Sequence, residues 1–402
     1  MITPLDALRV VLDNIEPIGE ELVGVFGATG RVVSRPIKSL RTLPPYDDAA
    51  MDGYAVRFED IKEIPAQLKL KGTIKAGDSV KSLEVKEGEC YRVMTGAALP
   101  KGADTIVEFE ITEQEDGFVR VIKPKSKGSN VRFKGEDINY GDAIDFTGEV
   151  VTPYRLSRIV STGNVFVPVY KKPSVCVIST GDELIHLGDP KEGIVDSNSF
   201  FVKSLLGQFG IDVSYLGISK DRSDDFIQKM HSACEFDIII TTAGISFGDY
   251  DVVTNSEKEL NIEWFFKYVK QKPGKPFAFG RLKNSLVFSF PGNPVSTAFC
   301  SFFYLIPAIK KMLGYKKYQH QYFKATLTKP LNKRNNRVHF NRVKVELKDG
   351  RFYATPFEAQ GSNIIESIAQ CNGFTMIEQD RLGRIDAGEE VVVFLYDYEF
   401  LF

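Results

Sequence analysis

Hydrophobic spacing along this chain switches between helical and strand-like periods, and the switches mark its modules. Thr3-Pro4 followed by Asp6 reads as a helix start, with a hydroxyl cap and proline in the first turn. Leu5, Leu8, Val11, Leu12 and Ile15 continue it at helical spacing. From Pro44 to about Asp142, β-prone runs (Tyr91–Met94, Thr105–Val107, Phe118–Ile122) are separated by Gly, Lys and Glu turns, which predicts a β-rich module with hairpins. A second helical segment, Val150–Val160, is grouped with the first helix in an elongated linker region. After Lys171-Lys-Pro173, strands at Ser174–Ser179, Val213–Ile218, Phe236–Ile240 and Leu286–Phe290 alternate with helices at Phe200–Phe209, Ser223–Cys234 and beyond Pro294. That pattern predicts an α/β unit with a mainly parallel sheet. From about Gln321 the chain is β-rich again, with strands near Phe323–Leu327, Val338–Glu346 and Glu390–Leu395, and reads as a small barrel or sandwich.

Composition narrows the function classes. At 402 residues the chain is too long for one ordinary core. Its 43% hydrophobic and 26% charged content is that of a soluble globular protein. A formal net charge of -2 with no basic block argues against a nucleic-acid partner. The most apolar run, Ala298–Ile309, contains Pro307 and is too short for a membrane span. Five scattered cysteines and the lack of a signal-peptide pattern at the start point to a cytoplasmic protein without a structural metal site.

The candidate chemistry gathers at strand ends, where open α/β sheets bind ligands. Thr180-Gly-Asp-Glu183 follows one strand, and Thr242, Gly244, Ser246, Gly248 and Asp251 follow another. Pro291-Gly-Asn-Pro294 follows a third and leads through Ser296 into a helix, whose start would offer backbone N–H groups to an oxyanion. Asp221 lies beyond a fourth strand. Gly292 and Asn293 belong to the turn, and Asp196-Ser-Asn198 could cap a helix or reach the same ligand. Glycine loops beside carboxylates suggest a phosphorylated ligand held with Mg²⁺. Lys272 and Lys275, on the stiff Lys-Pro-Gly-Lys-Pro segment, are candidate oxyanion contacts. Asp52 before Gly53 and Thr95 before Gly96 each read, taken alone, as tight turns.

Together these pieces resemble the MoeA family of molybdopterin molybdenumtransferases, whose eukaryotic relatives include the gephyrin E domain. The resemblance rests on Met51-Asp-Gly-Tyr-Ala55, Met94-Thr-Gly96, Gly135-Glu-Asp-Ile138, Ser179-Thr-Gly-Asp-Glu-Leu184, Asp196-Ser-Asn198, Gly244-Ile-Ser-Phe-Gly248, Pro273-Gly-Lys-Pro276 and Pro291-Gly-Asn-Pro-Val-Ser296. It implies a multidomain α/β plus β architecture with an elongated subunit. In that architecture 1–45 and 141–170 form a discontinuous linker and dimerisation domain, 46–140 a β-rich domain, 171–316 a molybdopterin-binding α/β domain of adenylyltransferase-like fold, and 317–402 a C-terminal β-barrel-like domain.

The family inserts molybdate into adenylylated molybdopterin with a divalent cation and releases AMP. That implies catalytic roles for Asp52, Thr95, Glu183, Asp221, Asp251, Pro291 and Pro294, with Asp52, Glu183, Asp221 and Asp251 as metal ligands. Molybdate contacts fall on Lys272 and Lys275, and on Arg337 or Arg342 and Ser362 in the last module. The implied partner is a second copy of the chain, with transient contacts to molybdopterin adenylyltransferase and recipient molybdoenzymes. Two positions depart from the family pattern: Ala49-Ala50 replaces Ser-Ala, and Thr241-Thr-Ala-Gly244 replaces Thr-Ser-Gly-Gly. The alternatives are adenylyl transfer to molybdopterin and a non-catalytic molybdopterin-binding scaffold.

Overall fold

The structure, a computed structural model, describes residues 1–220, 223–244, 256 and 259–397. Its centre is a six-stranded sheet of β1 (Val175–Thr180), β2 (Val213–Ser219), β3 (Ile238–Thr242), β4 (Glu263–Lys267), β5 (Ala278–Leu282) and β6 (Ser285–Phe290). The spatial order is β2-β1-β3-β6-β5-β4. β2, β1, β3 and β6 pair in parallel, whereas β5 pairs antiparallel with both β6 and the edge strand β4. Side chains alternate between two faces, one covered in part by α3 (Ser197–Gly207) and the other by α4 (Ser223–Ala233). Val175, Val177, Ile238, Ile240, Leu286 and Phe288 enter one core, and Cys176, Ile178, Ile239 and Val287 enter the other. Coverage on both faces explains why these strands read as continuous apolar runs.

The antiparallel edge was not legible from the chain. Gly280 lies within β5, where a Cβ would lie 2.5 Å from the Glu263 carbonyl oxygen. The glycine therefore allows β4 to approach closely, as strand glycines do.

Two helices expected to sit together bury their faces in different cores. α1 (Pro4–Asp13) is capped by Thr3, whose Oγ1 accepts from the Asp6 N–H. Ala7, Val11 and Ile15 join the core of the α/β unit, leaving Leu5 exposed. α2 (Pro153–Ser161) instead contributes Ile159 to a small core with Val33, Val151, Val167 and Val169. The antiparallel ribbon of Glu20–Gly24 with Phe166–Tyr170 supports this second core.

Residues 53–121 carry a mixed sheet with the strand Gly53–Val56 between Thr105–Glu108 and Glu89–Val93. A Cβ at Gly53 would fall 2.4 Å from the Val107 carbonyl oxygen, so close strand pairing requires glycine there. The C-terminal region closes into a five-stranded barrel: Val338–Lys348, Arg351–Pro356, Phe323–Leu327, Glu390–Leu395 and Gly373–Ile377, the last pairing back to the first.

Barrel and α/β unit share structure. The short strand Gln271–Lys272 leaves the α/β unit and pairs in parallel with Val338 and His339. The apolar segment after Pro294 runs as α5 (Pro294–Cys300), a wider π turn (Ser301–Leu305) and α6 (Ile306–Met312). The π turn lies just ahead of Pro307, which has no N–H to donate. Phe299 of α5 packs against Phe340 and Phe374 of the barrel, with ring centroids at 4.4 and 5.3 Å. Phe299→Ala should therefore lower stability by about 3–5 kcal/mol. Calorimetry should show the barrel and α/β unit still unfolding in one transition, displaced to lower temperature. Separate melting of the two in the wild-type protein would show that this shared core does not couple them.

Candidate functional site

The strand order places a topological switch between β1 and β3, because the chain leaves β1 for β2 on one side and returns to β3 on the other. Gly181-Asp182-Glu183, Ala243-Gly244 and Pro291-Gly292 all emerge at the carboxyl edge of these parallel strands. Gly181 has φ +140° and its N–H donates to the Ser219 carbonyl at 3.1 Å. The Glu183 carboxylate folds back over it: a Cβ on Gly181 would lie 2.6 Å from Oε2. Asp221, Ser246, Gly248 and Asp251 lie outside the described residues.

Ala243 holds φ +69°, a left-handed conformation that a Cβ disfavours. Its N–H donates to the Phe290 carbonyl at 2.9 Å, fixing it against the turn that follows β6. A Cβ built on Gly292 would lie 2.9 Å from the Ala243 Cβ. The Ala243 Cβ is thus accommodated by glycine on the facing loop. Asn198 reaches the same turn, its Nδ2 donating to the Gly292 carbonyl at 2.8 Å.

Several candidate contacts at this edge serve the fold instead. Asp196 is only 2% exposed. Its carboxylate caps α3 (Ser197–Gly207), accepting from the Ser199 N–H and Oγ, and from the Tyr215 hydroxyl at 3.0 Å. It is a buried cap, while Ser197 beside it is exposed. Thr180 and Thr242 are buried, with Thr180 Oγ1 donating to the Thr242 carbonyl and Thr242 Oγ1 to Ser179 Oγ. Their hydroxyls stitch β1 to β3. The helix start after Pro294 is not an open anion cradle either. The Val295 N–H donates to the Ser362 carbonyl at 3.2 Å, and the Ser296 and Thr297 N–H groups donate to the Asn293 carbonyl. Pro294 has no N–H, so the donors expected for a ligand are already paired.

The side chains of that turn instead face a cationic cavity of about 220 Å³. Lys272, Lys275, Arg337 and Arg342 line it together with Asn293, Ser296 and Ser362. Among the described lining residues none is acidic. Burial lowers the Lys272 pKa, and the nearby Arg337 and Arg342 charges add to the shift. Mutual repulsion of this kind favours binding an anion that neutralises the group.

The two arginines differ in role. Arg342 is 2% exposed, and four donations go to Ser367 Oγ and to the carbonyls of Gln360, Ala359 and Gly361. Burial pushes it down to about 10, which still leaves a cation at neutral pH. It clamps the loop that presents Ser362. Arg337 is held by long bonds, 3.4 Å each, to Asn335 Oδ1 and the Gln271 carbonyl. Asn335 Oδ1 also accepts from His339 Nε2 at 2.9 Å. Burial, followed by Lys272, Lys333 and Arg337, pushes His339 down to about 4, so it is neutral at pH 7.

Gln360 and Asn341 also line the cavity and had no signal in the sequence, because only barrel closure brings them there. A larger hollow of about 790 Å³ between α3, the α5–α6 segment and the barrel is walled mainly by apolar groups such as Phe201, Leu205, Phe302 and Ile306. The convergent polar chemistry is in the smaller cavity.

Asp52 and Thr95, which read separately as turns, form one unit. Asp52 Oδ1 accepts from the Thr95 N–H at 2.7 Å and from Thr95 Oγ1 at 2.8 Å. These bonds, backbone first, and then Arg92 hold the exposed Asp52 carboxyl below its ordinary pKa. Among the described residues no group of three or more His, Cys, Asp or Glu could hold a metal ion.

Comparison with known proteins adds to this geometry. Residues 2–163 match the MoeA N-terminal region (domain I and II), 176–311 a probable molybdopterin binding domain, and 324–396 the MoeA C-terminal region (domain IV). The chain belongs to the MoeA family. The molybdopterin molybdenumtransferase of Haemophilus influenzae is 34% identical over 401 residues, covering 98% of each chain. That of Staphylococcus aureus strain COL is 32% identical, over 97% of this chain and 94% of its own length. The crystal structure of the molybdopterin biosynthesis MoeA protein from Pyrococcus horikoshii OT3 superimposes with a TM-score of 0.83 at 30% identity, covering 98% of this chain and all of that one.

The contact between Ala243 and Gly292 predicts a compensating pair. Gly292→Ala should destabilise the protein by about 1–3 kcal/mol through overpacking. Adding Ala243→Gly should recover most of that loss, because it removes the opposing Cβ. A strictly additive double variant in denaturant titrations would contradict the contact.

Proposed function

We propose that this enzyme performs the final step of molybdenum cofactor biosynthesis, inserting molybdate into adenylylated molybdopterin with release of AMP. The observation that carries the reading is the cavity bounded by Lys272, Lys275 and Arg337, with no acid among its described lining residues, set against the sheet edge by the Pro291–Ser296 turn. Molybdate is a tetrahedral dianion and the adenylylated pterin carries a phosphoanhydride, so the two repel one another unless cations lie between them. Lys272, Lys275 and Arg337 supply that charge, and Ser296, Ser362 and Asn293 supply neutral donors. The pterin would lie along Gly181, Gly244 and Gly292, with its sulfur atoms facing the cavity. Preorganised cations lower the barrier without reorganising at the moment of transfer.

The proposed cation is Mg²⁺. Glu183 is an exposed acid at the sheet edge, but the described carboxylates do not by themselves make a divalent-cation site. Bound there, Mg²⁺ would offset the charge of the phosphoanhydride. Asp52 and Thr95 are proposed to complete the site from the second copy of a homodimer, since their rigid pair is exposed on the β-rich module. Contacts with molybdopterin adenylyltransferase and with recipient molybdoenzymes, in the cytoplasm, complete the reading. Among the described residues no helix is long and apolar enough to cross a membrane.

Incubation with adenylylated molybdopterin, Mg²⁺ and molybdate should yield AMP and active cofactor without ATP consumption; consumption of ATP would instead indicate adenylyl transfer. Lys275→Gln should raise the half-saturating molybdate concentration about tenfold or more while leaving pterin binding nearly unchanged. Lys275→Arg should restore it only in part, because a planar fork does not replace a compact ammonium. An unchanged molybdate dependence in Lys275→Gln would remove Lys275 from the anion site. The composite site has its own check. Mixed dimers of Asp52→Asn and Glu183→Gln should regain part of the activity absent from either parent, and verified heterodimers with none would refute sharing between subunits.

A further inference from the structure

We propose that Tyr304 and Gln271 are positioning residues for the oxyanion cavity, together fixing both lysines and Arg337. The inference rests on the reading of that cavity as the molybdate site. Gln271 is 0% exposed and immediately precedes the Lys272-Pro-Gly-Lys275 wall. Its side-chain amide is used at both ends. Oε1 accepts the Tyr304 hydroxyl, and Nε2 donates to the Gly274 carbonyl at 2.9 Å and approaches Cys300 Sγ at 3.8 Å. Its main-chain carbonyl accepts from Arg337 Nη1. One buried residue thus touches both the loop bearing the two lysines and the Arg337 guanidinium.

The Gly274 carbonyl, which only accepts, fixes which way the amide faces, because the reversed amide would set two carbonyl oxygens against each other. Oε1 then faces Tyr304, whose hydroxyl donates to it and anchors the far end of the amide. Tyr304 is itself held in place, 0% exposed and stacked on Phe277 with ring centroids 4.5 Å apart. The loop is seated directly on this network. Gly274 has φ +82°, and a Cβ there would lie 2.7 Å from Cys300 Sγ and 2.9 Å from Gln271 Nε2. Further support comes from the Val269 N–H, which donates to the Lys275 carbonyl at 2.9 Å. The helical segment after the Pro-Gly-Asn-Pro turn therefore carries Ser296 in the cavity at its start and, two turns later, the hydroxyl that sets the lysine loop.

The test is titration calorimetry of sodium molybdate into the full-length protein, with thermal unfolding measured in parallel. Tyr304→Phe should weaken molybdate binding about tenfold, the size expected when one buried hydrogen bond is lost. Gln271→Met should act in the same direction and more strongly, while adenylylated pterin binds each variant as it binds wild type. Ile309→Val, in the same helical run but away from the loop, should lower the melting temperature and leave molybdate affinity unchanged. If wild type binds molybdate saturably and both cavity variants match it, the positioning role is overturned and the anion site stands. Equal weakening in Ile309→Val would also overturn it, since the effect would then follow stability. Failure of wild type to bind molybdate saturably would overturn the anion site and this inference with it.

Discussion

The site depends on the close approach between the turn at Gly292 and the end of β3 at Ala243. The contact leaves room for one Cβ, and the chain places it on Ala243. With the turn pressed against the strand end, Asn198 can bond the Gly292 carbonyl, and the same turn can receive the Ser362 loop through the Val295 N–H. Two regions of different chemistry then share one border. Glycine backbone and exposed carboxylate lie on the sheet side, and lysine and arginine lie on the barrel side. A reaction between two anions needs that division, because the partners must be brought close while their charges are offset separately.

The barrel is part of the site. Gln271–Lys272 pairs with Val338–His339, so the lysine loop and Arg337 are tied by backbone hydrogen bonds. Phe299 buries its ring against Phe340 and Phe374 next to Cys300, which touches the lysine loop. Arg342 uses its guanidinium to hold Ala359–Gly361 and so sets Ser362 in place. Such a group would lose more by leaving these carbonyls unpaired than it could gain by reaching for a ligand.

Much of this was legible in the chain, for identifiable physical reasons. The parallel strands were visible because burial on both faces makes them uniformly apolar. The two lysines that line the cavity stood out because a Pro/Gly segment that stiffens two cations is unusual on a solvated surface. The antiparallel insertion of β5 was not visible, because it depends on Gly280 letting β4, from elsewhere in the sequence, approach closely. Asp196 looked like a ligand contact because a cap and a contact need the same residue type, and only the Tyr215 and Ser199 bonds separate them. The helix start after Pro294 looked open because sequence does not show that Ser362, from the barrel, returns to accept the Val295 N–H. Asp52 and Thr95 carried separate turn signals, and pairing of the strands on either side joined them. Legibility failed where a role is assigned by long-range closure.

The oxyanion is proposed to lie in the cavity beside the turn, on the barrel side of Gly292. Anomalous diffraction at the molybdenum or tungsten edge from crystals soaked in molybdate or tungstate tests this most directly. One strong peak is expected, enclosed by Lys272, Lys275, Arg337 and Ser362 and within hydrogen-bond reach of Ser296 or Asn293. A peak at the strand ends beside Gly181 and Glu183, with that cavity empty, would contradict it.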